Sequence, residues 1–151
     1  EARIEGQVAG LQEVLGEEFA AQRRVLNSGN TSAASEVVVA QVLADLSGCQ
    51  RIAVACFNDD AALGALRAAR RLGREQDLAI VGQGADRLVR HELRQPGARI
   101  IGSTAFMPER YGNLLIDLAL RILRGESVPP AVYVEHVFID AHNVDHFYPS
   151  P

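Results

Sequence analysis

The chain has 151 residues, a formal net charge of −4, 48% hydrophobic and 23% charged residues, the composition of one folded domain and not of a disordered segment. It has no apolar run near the ~20 residues with which a helix crosses a bilayer, and its acid excess argues against a dedicated phosphate-binding face. Cys49 and Cys56 are separated by a stretch whose extended form is too long for a disulfide, so they demand neither an oxidising nor a reducing compartment.

Val8, Leu11, Val14 and Leu15 recur at helical spacing, which predicts an amphipathic helix at the start. Arg24 to Leu26 reads as a short strand ended by the turn residues Asn27-Ser28-Gly29-Asn30. Thr31 or Ser32 then caps a second helix, with Glu36 placed to help, and Ser47-Gly48 stops it. Arg51 to Phe57 is a continuous apolar run, the pattern of a strand covered on both faces. Asn58 or Asp59 caps the next helix, which runs to about Leu72 and ends at Gly73. Its basic end, Arg67, Arg70, Arg71 and Arg74, reads as a solvated face that complements the helix dipole.

Leu78 to Val81 is a further short strand, with Gly82-Gln83-Gly84 read as the turn after it. A helix from about Asp86 to Leu93, a break at Pro96-Gly97 and a strand from Arg99 to Ile101 follow. Pro108 opens the longest predicted helix, whose stripe Leu114, Leu115, Leu118, Ile122 and Leu123 ends at Gly125. Val132 to Ile139 returns as extended chain, and the tail after Asp140 reads as polar, aromatic and solvated.

Strands alternating with helices predict an α/β fold, a doubly wound parallel sheet with helices on both faces. Ligands of such sheets bind beyond the carboxyl ends of the strands. That rule nominates Asn27 to Ser32, Asn58-Asp59, Gln83 to Asp86 and Ser103 to Phe106 as the rim of a site. Other signals are weak. Gly82-Gln83-Gly84 lacks the third glycine of a dinucleotide fingerprint, and His142 and His146 lack a third ligand for a metal. Asp59 and Asp60 are adjacent and point apart on a helix. Nothing reactive converges, so neither an enzyme nor a cofactor or metal is expected.

Several stretches together carry a family resemblance. Asn58-Asp59-Asp60-Ala61-Ala62-Leu63-Gly64-Ala65-Leu66 after a strand resembles the Asn-Asp-x-x-Ala-x-Gly-Ala signature of type I (ribose-type) periplasmic sugar-binding proteins and of LacI-type sensor domains. Ile80-Val81-Gly82, Pro108-Glu109-Arg110-Tyr111-Gly112 and Leu120 to Pro130 resemble later stretches in the same order, and Arg3-Ile4-Glu5-Gly6 resembles the head of the C-terminal lobe. The resemblance implies a two-lobe, hinge-closing fold. Residues 1–103 would form most of the C-terminal lobe, 104–130 the hinge crossing and the helix packing toward the N-terminal lobe, and 131–151 the return crossing and tail. It also implies that the first, central strand and the N-terminal lobe are supplied by sequence outside this chain or by another chain.

By the same resemblance Arg3 and Asn58 are ligand-binding residues. The strand-end Phe-Asp of sugar binders falls on Gln83-Gly84, so the usual carboxylate is lost there, with Asp86 nearby as a substitute or a helix cap. Phe106 replaces the hinge glutamine, and Thr31, or Asn30 beside it, lies near a usual aromatic. These departures point away from a plain pentose or hexose and toward a modified sugar, a polyol or another polar ring. The implied role is the solute-binding component of an ABC importer, periplasmic or extracellular, with a permease as partner. The alternative is the effector-sensing core of a cytoplasmic LacI-type regulator, itself without direct nucleic-acid contact in this stretch.

Overall fold

The computed structural model describes residues 2–16 and 23–149. The sheet has four strands in the order β1-β2-β3-β4: β1 Ile52–Ala55, β2 Leu78–Gly84, β3 Ile100–Ala105 and β4 Val137–Ile139. β1, β2 and β3 are parallel, with Ile52 opposite Leu78 and Ile80 opposite Ile100. β4 adds to them antiparallel, Thr104 facing Phe138. The helices are α1 Ala2–Leu15, α2 Ser32–Asp45, α3 Asp59–Arg71, α4 Arg87–Leu93, α5 Tyr111–Leu123 and α6 Val144–Phe147. The α/β alternation read from the sequence is therefore the architecture.

The core lies where α3 meets the sheet. Ala61, Ala62, Ala65, Leu66, Ala68 and Ala69 are buried together with Leu78, Ile80, Val89, Leu93, Ile100 and Ile139. Small residues on α3 let α2 lie directly against it, and the Ser35 hydroxyl donates to the Ala61 carbonyl at 2.8 Å. A Cβ on Gly64 would come within 2.3 Å of the Ser32 carbonyl oxygen and 2.7 Å of the Ser35 Cβ. Gly64→Ala is expected to force the two helices apart and to lower stability by about 2 kcal/mol, measurable by urea unfolding; an unchanged midpoint would refute this contact.

Several expectations change. Arg24 to Leu26 forms no strand: it pairs with none of the four strands among the described residues, and an extended segment without a partner strand gains no ladder. Val25 and Leu26 stay exposed, and Arg24 reaches Asp45 at 3.5 Å. β1 is covered on one face only, Ala53 and Ala55 alternating outward with the half-buried Ile52 and Val54. Gly82-Gln83-Gly84 is not a turn but the end of β2, paired with Ser103, Thr104 and Ala105; the chain turns one residue later. The tail is solvated only in part: Ala141, His142, Asp145 and His146 are exposed, but Val144 is buried, Arg90 stacks on Tyr148 at 4.0 Å, and Arg94 binds Asp145 at 2.8 Å and the Tyr148 carbonyl at 2.6 Å.

The basic end of α3 stays exposed at Arg67, Arg70 and Arg71, and three of its four arginines are paired with neighbouring elements. Arg70 forms two bonds to Glu92 and one to Glu75, Arg71 meets Glu36, and Arg74 holds Asp77 and the carbonyls of Leu43 and Cys49. Glu36 is thus committed to α3 instead of to the cap of its own helix.

Candidate functional site

The carboxyl ends of β2 and β3 open onto a cavity of about 690 Å³ lined by residues from α1, β2, β3, the start of α5 and the approach to β4. Arg3 stands over it from the first turn of α1. Its guanidinium lies between two rings, 4.6 Å from the centre of Phe57 and 5.0 Å from that of Phe106, and donates to the Phe57 carbonyl at 3.5 Å. A planar cation stacked in this way is oriented before any ligand arrives. Gln7, one turn further along the same face of α1, donates to the Cys56 carbonyl at 3.0 Å and joins α1 to the end of β1.

Phe106 meets His136 edge to face, the rings 5.0 Å apart at 69°. Met107 follows with φ of 50° and a buried side chain. This left-handed backbone, which costs roughly 1 kcal/mol in a non-glycine residue, turns the chain so that Phe106 and Pro108 both face the cavity. Gln83, Gly84 and Asp86 form the opposite wall with Thr104. Asp86 occupies the N-cap position of α4, yet its side chain makes no capping bond, so the cap reading of this carboxylate fails.

Of the residues expected from the sequence, Arg3, Gln83, Asp86 and Phe106 share one cavity. Thr31 and Asn58 do not line it. The Thr31 hydroxyl caps α2 by accepting from Ala34 at 3.3 Å. Asn58 accepts from the Ala61 amide at 2.9 Å as the cap of α3 and donates to the Asn30 carbonyl at 2.9 Å. Gln7, Tyr111 and His136 also line the cavity and were not singled out. Gln7 had a signal in its four-residue spacing from Arg3; His136 had none, since the strand it precedes pairs with a distant one, Val137 with Ala105.

Beneath the wall lies a buried carboxyl. Asp59 is 1% exposed; it accepts from the Ser103 hydroxyl and from the Asp86 amide, both at 2.6 Å. Burial raises its proton affinity above the ordinary value of 3.8 against the lowering effect of these two bonds, and the nearby Asp86 and Asp60 act in the same direction as burial. Burial, aided by Asp59, also pushes the Cys56 thiol up to about 12 and keeps it unreactive. A carboxyl with a higher pKa folded than unfolded holds its proton more tightly in the folded state. Its contribution to stability is therefore complete below its ordinary value and is lost as pH rises through the raised one. The stability difference between the parent and Asp59→Asn is expected to shift across that window and level off above it. A difference independent of pH in denaturant titrations would contradict the assignment.

The family described as periplasmic binding protein-like domain matches residues 7–138. No curated protein matches the chain. Among solved structures, an ABC transporter periplasmic solute-binding protein from Actinobacillus succinogenes with bound D-allose superposes with a TM-score of 0.73 at 17% identity, covering 80% of this chain and 42% of its own. An ABC transporter solute-binding protein from Agrobacterium vitis with bound allitol gives 0.71 at 22% identity, with 83% and 42% covered. A Mycobacterium smegmatis protein in complex with β-D-fucofuranose gives 0.67 at 26% identity, with 79% and 38% covered. The chain spans about two fifths of the length of these structures.

Proposed function

Since the chain belongs to the family of periplasmic binding protein-like domains, we propose that it forms most of one lobe of a sugar- or polyol-binding protein that serves an ABC importer outside the cytoplasmic membrane. The observation that carries this reading is the cavity at the strand ends, with Arg3 stacked between Phe57 and Phe106 above Gln83 and Asp86. The Phe106 ring, which lines the cavity, suits the apolar face of a sugar or polyol, and the fork of Arg3 with the amide of Gln83 and the carboxylate of Asp86 suits its hydroxyls.

A second lobe would close over this open cavity, and closure on ligand is the signal a permease would read. The exposed apolar side of α5, with Leu115, Ile116 and Leu123, supports a covering partner there. β1, an edge strand with an unpaired ladder, supports one further strand beside it from upstream sequence or another chain. A monomeric native protein with the mass of these 151 residues alone would contradict both.

The test is calorimetric titration of the intact protein with D-allose, allitol, D-ribose and glycerol. Saturable binding of at least one, with compaction in small-angle scattering, is the expected result. No binding by any member of the panel would overturn the reading. A DNA-binding headpiece upstream of this stretch would instead make the same lobe the sensor of a regulator.

A further inference from the structure

The buried carboxyl of Asp59 has no function in the reading above, because it does not line the cavity. Yet it is joined to three elements that make the cavity wall. Asp59 is the first residue of α3; Ser103, fully buried in β3, donates to its Oδ1; the Asp86 amide donates to its Oδ2. The Ser103 hydroxyl accepts in turn from the Ala85 amide at 2.9 Å. Two successive amides of the turn after β2 are therefore fixed by one carboxyl, directly and through one hydroxyl.

That turn is not a relaxed one. Gly84 has φ of 137° and Ala85 φ of 53°, a conformation that alanine adopts only when its surroundings impose it. Ala85 is 3% exposed, so water does not satisfy its amide. β2 is also shaped to admit the carboxyl: a Cβ on Gly82 would lie 2.2 Å from Asp59 Oδ1, and one on Gly84 3.2 Å from Oδ2. Among the described residues no arginine, lysine or histidine forms an ion pair with Asp59. The titratable groups around it are Asp60 on its own helix, Asp86 on the turn and Cys56 after β1. No cation explains a carboxyl here, whereas the two donors do.

We propose that Asp59 is the positioning residue of the ligand site: by holding the Asp86 amide and the Ser103 hydroxyl, it fixes residues 83–86 in the strained turn that presents Gln83 and Asp86 to the cavity. This rests on the reading of that cavity as a ligand site. Asp59 acts without touching ligand, and the geometry separates its effect from that of a residue that merely packs the core, because its bonds end on the Asp86 amide and on the Ser103 hydroxyl that holds the Ala85 amide.

The experiment is amide hydrogen exchange and proton NMR on the intact, ligand-free protein, paired with calorimetric titration with D-allose and allitol. The Asp86 amide proton is expected to shift with pH as Asp59 titrates, and Asp59→Asn is expected to remove that part of the shift. Asp59→Ala is expected to speed exchange at Ala85 and Asp86 by about 10- to 100-fold over the change at buried amides of α3, the loss expected for bonds to a charged group. Ser103→Ala, which spares the carboxyl, is expected to act at Ala85 more than at Asp86. Affinity for the sugar that binds should fall in both variants and be partly restored by Asp59→Asn. Uniform acceleration across the protein, or loosened amides with unchanged affinity, would overturn the proposal. If neither sugar binds, the reading of function fails instead, and exchange at Ala85 and Asp86 by itself decides whether Asp59 holds the turn.

Discussion

Gly82→Ala is expected to destabilise the protein by about 4 kcal/mol, combining overpacking with the loss of buried hydrogen bonds. The new methyl would meet Asp59 Oδ1 at 2.2 Å and Ala62 Cβ at 3.4 Å. Ala62 is at ordinary contact distance and gives way by little. The carboxyl is not free to swing aside, because its two oxygens are held by Ser103 and Asp86 at 2.6 Å. Moving it strands the Ser103 hydroxyl away from water and breaks the part-buried bond from the Asp86 amide. The companion measurement is Gly82→Ala in an Asp59→Ala background, where the methyl enters the space the carboxyl has left and the added cost should fall below about 1 kcal/mol. Urea unfolding of the intact protein and the three variants supplies the cycle. Strictly additive effects would show that the two positions do not meet as described.

Arg3→Ala is expected to weaken binding of the preferred sugar by about 100-fold, the loss of a charge-assisted contact together with the stacked cation. Phe57 and Phe106 would lose the plane between them, and the cavity would lose the group that spans from α1 to the strand ends. Arg3→Lys should recover little, since an ammonium brings charge without the planar fork. Arg3 is exposed, so the fold should keep its unfolding midpoint, and the effect should be confined to affinity in calorimetry. An affinity equal to the parent's would remove Arg3 from the site.

The sequence by itself determined the alternation of helices and strands, because hydrophobic period and caps are local. Asn58 and Thr31 announce α3 and α2 through side chains that bond amides three residues on. It also nominated the strand ends as the rim of a site, and the family resemblance added Arg3 to Gln83, Asp86 and Phe106, four residues that line one cavity. Local pattern fails where pairing decides. Arg24 to Leu26 has the composition of a strand and no neighbour to make it one, and β1 reads as doubly covered yet lies at an edge. Gly82-Gln83-Gly84 looks like a turn because glycines mark turns, whereas the first of them is there to admit a carboxyl from a helix 23 residues away. Asp59 itself reads as a cap or as half of an adjacent acidic pair. Only the tertiary structure brings it under Asp86 and Ser103, because hydrogen bonds between distant segments leave no period in the chain that forms them.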